Sequence, residues 1–131
     1  MFCVFSILPL VGAAQTDDGF KQYFHPNGKV ASEGYLVDGK PEGHWKAYYD
    51  TGVLKSEGDR VRFLLDSTWK FYGPDAKLMS TIQYQADRKN GPLRKFAADG
   101  SLVSEELYRD DIKNGETKYF FPNGKLQKVI P

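Results

Sequence analysis

Four serines, Ser32, Ser56, Ser80 and Ser104, recur at a 24-residue step, and a cation column, Lys46, Lys70, Arg94 and Lys118 with Gln22 ahead of it, keeps the same step. If the two columns lie opposite each other on neighbouring strands, each serine sits beside a cation, the arrangement that activates a hydroxyl nucleophile. A third column, Glu33, Glu57 and Glu105 with Thr81 between them, sets carboxylates two strands apart. That is roughly 9–10 Å, close to the separation of acid and base in an inverting glycosidase. Both ideas fail for one reason. A catalytic pair is single and locally distinctive, and an acid and a base need unequal surroundings to separate their pKa values, whereas a repeated column gives every member similar neighbours. The columns are expected to be polar stripes on a sheet, and no catalytic residue is assigned.

Metal chemistry has little to draw on. His25 and His44 are the two histidines, and no motif joins them to carboxylates at ligand spacing, whereas a metal site needs three or four convergent ligands. Neither a metal nor another cofactor is expected. Cys3, the single cysteine, lies in the apolar first segment without the preceding residues of a lipobox. Stability must therefore come from packing and backbone pairing rather than disulfides. The formal charge is +1 with both signs interspersed, which excludes the one-signed footprint of a nucleic-acid binder.

The columns must be carried by a repeated element. Gly19, Gly43, Ser67, Gly91 and Gly115 open five copies, and Gly28, Gly52, Ala76, Gly100 and Gly124 keep the step. Phe24, Tyr48, Tyr72, Phe96 and Phe120 form an aromatic column, followed six residues later by Val30, Leu54, Leu78, Leu102 and Leu126. A fixed period of this size means one supersecondary unit copied and stacked. With 15% aromatic residues and 13 glycines in 131 residues, the unit suits short half-buried strands joined by tight turns.

Turn chemistry fixes the hairpins. Pro26-Asn27-Gly28, Pro74-Asp75-Ala76 and Pro122-Asn123-Gly124, with the weaker Asp50-Thr51-Gly52 and Ala98-Asp99-Gly100, predict a type I turn plus G1 bulge. Ala76 then occupies a left-handed position at a cost of roughly 1 kcal/mol. A three-residue loop pairs Tyr49 with Val53 and Tyr48 with Leu54, and the equivalent Phe24–Val30, Tyr72–Leu78, Phe96–Leu102 and Phe120–Leu126 pairs make a spine, with everything beyond following by symmetry. Further turns are expected near Asp38-Gly39 and Glu42-Gly43, near Asn90-Gly91 and near Asn114-Gly115. The fold class is all-β: a single elongated antiparallel β-meander of nine or ten strands, built from 24-residue hairpin repeats.

The run Gly43-His44-Trp45-Lys46-Ala47-Tyr48 with Gly52, Leu54 and Glu57 resembles the MORN-repeat variant of YwqK-type antitoxin-like proteins, and the resemblance extends from Gly19 to about Ile130. It implies an all-β scaffold that binds other molecules, with no catalytic residues to carry over. The third copy departs most, with Ser67 and Ala76 for glycines and Arg62-Phe63-Leu64-Leu65 in place of a polar turn.

Two surfaces are candidates for a partner. Trp45, Trp69 and Leu93, with the Tyr23, Phe71 and Tyr119 column, alternate to the face opposite the spine, where a single-layer sheet leaves an aromatic strip uncovered. Phe63, Leu64 and Leu65 are the best single patch. The expected function is a non-enzymatic scaffold binding a protein partner, with a glycan or membrane surface, or toxin neutralisation, as alternatives. Residues 2–10 are almost wholly apolar and lead through Val11-Gly12-Ala13-Ala14 to polar residues. Despite the missing basic n-region, this reads as a signal peptide over 1–14 and a linker over 15–18, before the repeat domain 19–131. The expected location is the periplasm, the cell envelope or outside the cell.

Overall fold

The computed structural model describes residues 18–131; the expected signal peptide, Cys3 and most of the linker lie outside the described residues. Eleven strands and no helix occur among the described residues: β1 (Gly19–Phe24), β2 (Val30–Val37), β3 (Lys40–Tyr48), β4 (Leu54–Val61), β5 (Leu64–Tyr72), β6 (Leu78–Gln85), β7 (Arg88–Phe96), β8 (Leu102–Arg109), β9 (Ile112–Lys113), β10 (Thr117–Phe120) and β11 (Leu126–Ile130). They form one antiparallel sheet in the order β1 to β8, then β10 and β11, with the two-residue β9 also pairing β8.

The five long hairpins close alike. In each, the residue before the turn donates its N–H four residues on and accepts from the turn glycine or alanine, as in Tyr49 to Val53 at 2.8 Å and Gly52 to Tyr49 at 2.9 Å. Ala76 adopts φ 69°, the left-handed position its column demands. The spine pairs Phe24–Val30, Tyr48–Leu54, Tyr72–Leu78, Phe96–Leu102 and Phe120–Leu126 all form.

One step further the expected symmetry breaks. Tyr48 faces Leu54 but Ala47 faces Ser56, leaving Lys55 unpaired in a β-bulge, and the equivalent bulge recurs in every copy. An extra residue on one strand slips the register by one. The serines therefore do not face the cation column. The glutamates do: Glu57 pairs with Lys46 on one side and Lys70 on the other.

The second class of turn is also smaller than expected. Asp38-Gly39, Arg62-Phe63, Ala86-Asp87 and Asp110-Asp111 each have two consecutive positive φ values, the mark of a two-residue I′ hairpin loop. Gly43, Ser67 and Gly91 lie inside β3, β5 and β7, at a second irregularity in the ladder rather than in turns. Ser67 takes φ 62° there.

The core lies on the tryptophan face. Trp45, Trp69 and Leu93 are 7%, 5% and 8% exposed, whereas Phe24 and Leu126 of the spine are 58% and 52% exposed. A Cβ on Gly34 would fall inside the Trp45 indole, and one on Gly58 inside that of Trp69. The second ladder irregularity sets Gly34 and Gly58 beside these tryptophans. Each indole N–H donates to a nearby main-chain carbonyl, Trp45 to Tyr35 at 3.1 Å and Trp69 to Asp59 at 3.0 Å. Burial of an indole with its donor satisfied is strongly stabilising. The strip expected to be uncovered is the covered one, because glycine opposite tryptophan lets a single layer make its own core.

Candidate interaction surface

On the spine face, polar side chains link successive copies. The Tyr48 hydroxyl donates to Glu33 and the Tyr72 hydroxyl to Glu57, each at 2.7 Å. Gln22 also donates to Glu33. Hydrogen bonds from Gln22 and then Tyr48 hold the Glu33 carboxyl below its ordinary range. Burial, and then the neighbouring carboxylate, push both Tyr48 and Tyr72 up to about 12. Such hydroxyls stay protonated and serve as fixed donors, not bases.

His44 completes this network. Its Nε2 lies 2.9 Å from Glu57 Oε1 and its Nδ1 lies 3.0 Å from Asp59 Oδ1. Carboxylates accept, so both ring nitrogens must donate, which only the imidazolium can do. The bond to Glu57, then that to Asp59, raises the His44 pKa, and the Glu57 carboxyl is lowered chiefly by His44 and then by Tyr72. The sequence shows no motif joining histidine to carboxylates, yet the hairpin does so across β3 and β4. The signal was the bulge, which sets Asp59 opposite His44. Four donors and acceptors satisfying one another make a structural clamp, with His44 51% exposed. His25 lies on a hairpin flank, as expected.

The Phe63 patch divides between a turn and a strand. Leu64 and Leu65 open β5 and are half-buried, while Phe63 is 46% exposed in the turn. It adopts φ 68°, where the equivalent residue of the first copy is Gly39 and those of the later ones are Asp87 and Asp111. A bulky residue in this region is a true outlier. Its backbone is pinned from both sides: the N–H donates to Pro41 O at 2.7 Å, and Arg60 Nη1 donates to Phe63 O at 2.7 Å. The Lys40 ammonium stands 5.3 Å from the ring centroid. Trp45 and Trp69 lie on the buried face, and Tyr23 stacks on Trp45 with centroids 6.5 Å apart. Phe71 is half-buried on the same face. A groove of about 290 Å³ runs between the two tryptophans, bounded by Pro41, Lys46 and Arg60 among others. The two candidate surfaces thus stay distinct, the indoles in the core and Phe63 at the turn edge, with Arg60 between them, its guanidinium 5.4 Å from the Trp69 ring centroid.

Three segments, residues 20–38, 41–60 and 113–131, match the family model described as the MORN repeat variant. The chain carries MORN-variant repeats. The matched segments begin one to two residues from the copy boundaries, and the unmatched stretch 61–112 holds the irregular third copy. No curated protein and no solved structure matches the chain. MORN repeats form a non-enzymatic family whose members commonly act as protein- or membrane-binding modules.

Proposed function

We propose that this MORN-variant chain is a non-catalytic, exported scaffold that binds a protein partner through the turn edge around Phe63. The observation that carries this reading is Phe63 itself. A half-exposed aromatic side chain occupies a left-handed turn position that glycine or aspartate fills in the other copies. Strain of order 1–3 kcal/mol persists only where surrounding contacts over-determine it, and such outliers gather at binding sites. Aromatic anchors with a cation beside them are also what interface hot spots use.

The substitution Phe63→Gly separates binding from folding. It is expected to leave the melting temperature unchanged or raised, because the turn strain is released, while partners captured by the wild-type chain from envelope fractions are lost. Unchanged capture would show that Phe63 does not carry binding, and a clear loss of stability would show that it serves the fold. Export rests on the apolar run in residues 2–10 and the small residues after it. N-terminal sequencing of the mature protein tests it: a start at Gln15 supports export and an intact Met1 refutes it.

A further inference from the structure

The residue preceding each long hairpin turn sits beside the next hairpin. His25 Nε2 lies 2.8 Å from the Tyr48 carbonyl oxygen, and since a carbonyl only accepts, Nε2 carries the proton. The Tyr49 hydroxyl donates to the Tyr72 carbonyl at 2.7 Å. These two rings bridge the first and second gaps between hairpins on one side, while on the spine side the first gap keeps a cleft of about 440 Å³ lined by Val30, Glu33 and Tyr48 among others. The third member of the column is Gly73, which has no side chain to reach the equivalent Phe96 carbonyl. A cleft of about 360 Å³ opens in that gap, walled by Gly73, Leu78, Met79, Phe96, Ala97 and Ala98.

Backbone geometry does not demand the glycine. Gly73 is not among the residues with positive φ, and its hairpin makes the same pair of hydrogen bonds as its neighbours, Gly73 N–H to Lys77 O at 2.8 Å and Ala76 N–H to Gly73 O at 2.9 Å. A Cβ there would stand 2.9 Å from Asp75 Oδ1, which accepts from the Lys77 N–H at 3.1 Å; the first copy keeps the equivalent Lys29 N–H to Asn27 Oδ1 bond at 2.9 Å with His25 in the place of Gly73. Across the cleft Ala97 and Ala98 stand where the first gap has Tyr49 and Asp50, so both sides are cut back together. The space left is ring-sized and apolar, with a thioether on one wall, a group that packs well against aromatic edges. A carbonyl lies where its counterparts accept from a ring donor. Clefts of this volume hold small ligands.

We propose that this cleft is a binding site for a para-hydroxyphenyl group supplied by a tyrosine side chain of a polypeptide, its hydroxyl donating to the Phe96 carbonyl as Tyr49 donates to Tyr72. The chain's own plugs carry the choice of occupant: each is a side chain entering from a neighbouring backbone with one donor at its tip. The rim residues Pro74, Asp75, Lys77 and Ala98 are exposed, which leaves a way in. The site lies at the opposite end of β5 from Phe63, so failure at either place leaves the other untouched.

The test follows the methyl NMR signals of Met79, Ala97 and Ala98 during titration with 4-methylphenol, then with 4-methylanisole, which lacks the donor. Saturable shifts with the phenol and about tenfold weaker binding of the anisole are expected, as for loss of one buried hydrogen bond. The plugged variant Gly73→Tyr should lose binding; Gly73→His, copied from His25, serves the same purpose if the tyrosine variant does not fold. N-acetyl-Gly-Tyr-Gly-amide should bind at least as tightly as the phenol. No saturable shift, undiminished binding in a folded plugged variant, or equal binding of the anisole would overturn the site. Binding of the phenol without the peptide would overturn the polypeptide source.

Discussion

Residues 19–72 and residues 73–112 share one backbone and differ in what decorates it. In the first region tryptophan stands over glycine, a tyrosine hydroxyl meets Glu33, and the rings of His25 and Tyr49 bridge to the next hairpins. In the second, Leu93 replaces tryptophan, Ile82 replaces glycine, Phe96 lacks a hydroxyl, Thr81 lacks a carboxylate and Gly73 lacks a ring. Yet spine pairing, bulge and two-residue turns recur unchanged. The register is therefore set by turns and bulges, and the relays between copies add stability to a sheet already specified. Where the relays stop, positions become free for other uses, and the proposed cleft beside Gly73 lies there.

The sharpest way to break this comparison is to remove the core residue of each region. Trp45→Ala should cost about 3–5 kcal/mol in urea unfolding and Leu93→Ala about 2–3 kcal/mol, since the larger buried side chain leaves the larger hole. The reverse order would mean that the second region carries its own core. Gly58→Ala comes next. Its methyl has no place beside Trp69, and a loss of about 1–3 kcal/mol is expected, whereas Ile82→Val, the counterpart in the next copy, should cost about 1 kcal/mol. Tyr49→Gly makes the first region resemble the second. It should lower stability by about 1–2 kcal/mol, through a lost hydrogen bond and packing, and added 4-methylphenol should restore part of the loss; no recovery would show that the gap collapses.

The smallest effect is that of pH. The His44 pKa is raised on folding, so its contribution is fully present below the unfolded value near 6.5 and fades as pH rises through the folded value. Glu57 is lowered, so its share is present above the unfolded value near 4.5 and is lost as pH falls through the folded value. The clamp is thus strongest between about pH 4.5 and 6.5. Because His44 is half exposed, the effect should stay below about 1 kcal/mol. The variant His44→Gln should flatten the stability profile on the alkaline side of that window; an unchanged slope would remove the clamp from the account.

Much of the fold was legible because turn residues act locally. Pro26-Asn27-Gly28 and its counterparts dictate a loop, the loop dictates the Tyr48–Leu54 pair, and the five copies repeat it. The bulge at Lys55 left no such mark: an unpaired residue needs no special side chain, and the column holds alanine, lysine, methionine, valine and glutamine. Missing it placed the serines, rather than Glu57, opposite Lys46, and hid the His44–Asp59 contact. The buried face was misjudged for a different reason. Both faces are equally aromatic, and the deciding feature is the glycine eleven residues before each tryptophan, Gly34 and Gly58. Phe63 stands out in the sequence as a break in the period, though its strain could be seen only once the turn proved to be two residues long.

The central claim is that regular columns hold the sheet while the stretch from Phe63 to Ala76, the end of the second copy and the start of the third, departs from them against its own stability. Phe63, Ser67 and Ala76 sit at φ 68°, 62° and 69°, and restoring glycine at all three gives the most direct test by urea unfolding. Release of left-handed strain predicts a gain of about 2 kcal/mol. An unchanged or lower stability would contradict the account, because the departures would then belong to what holds this stretch together.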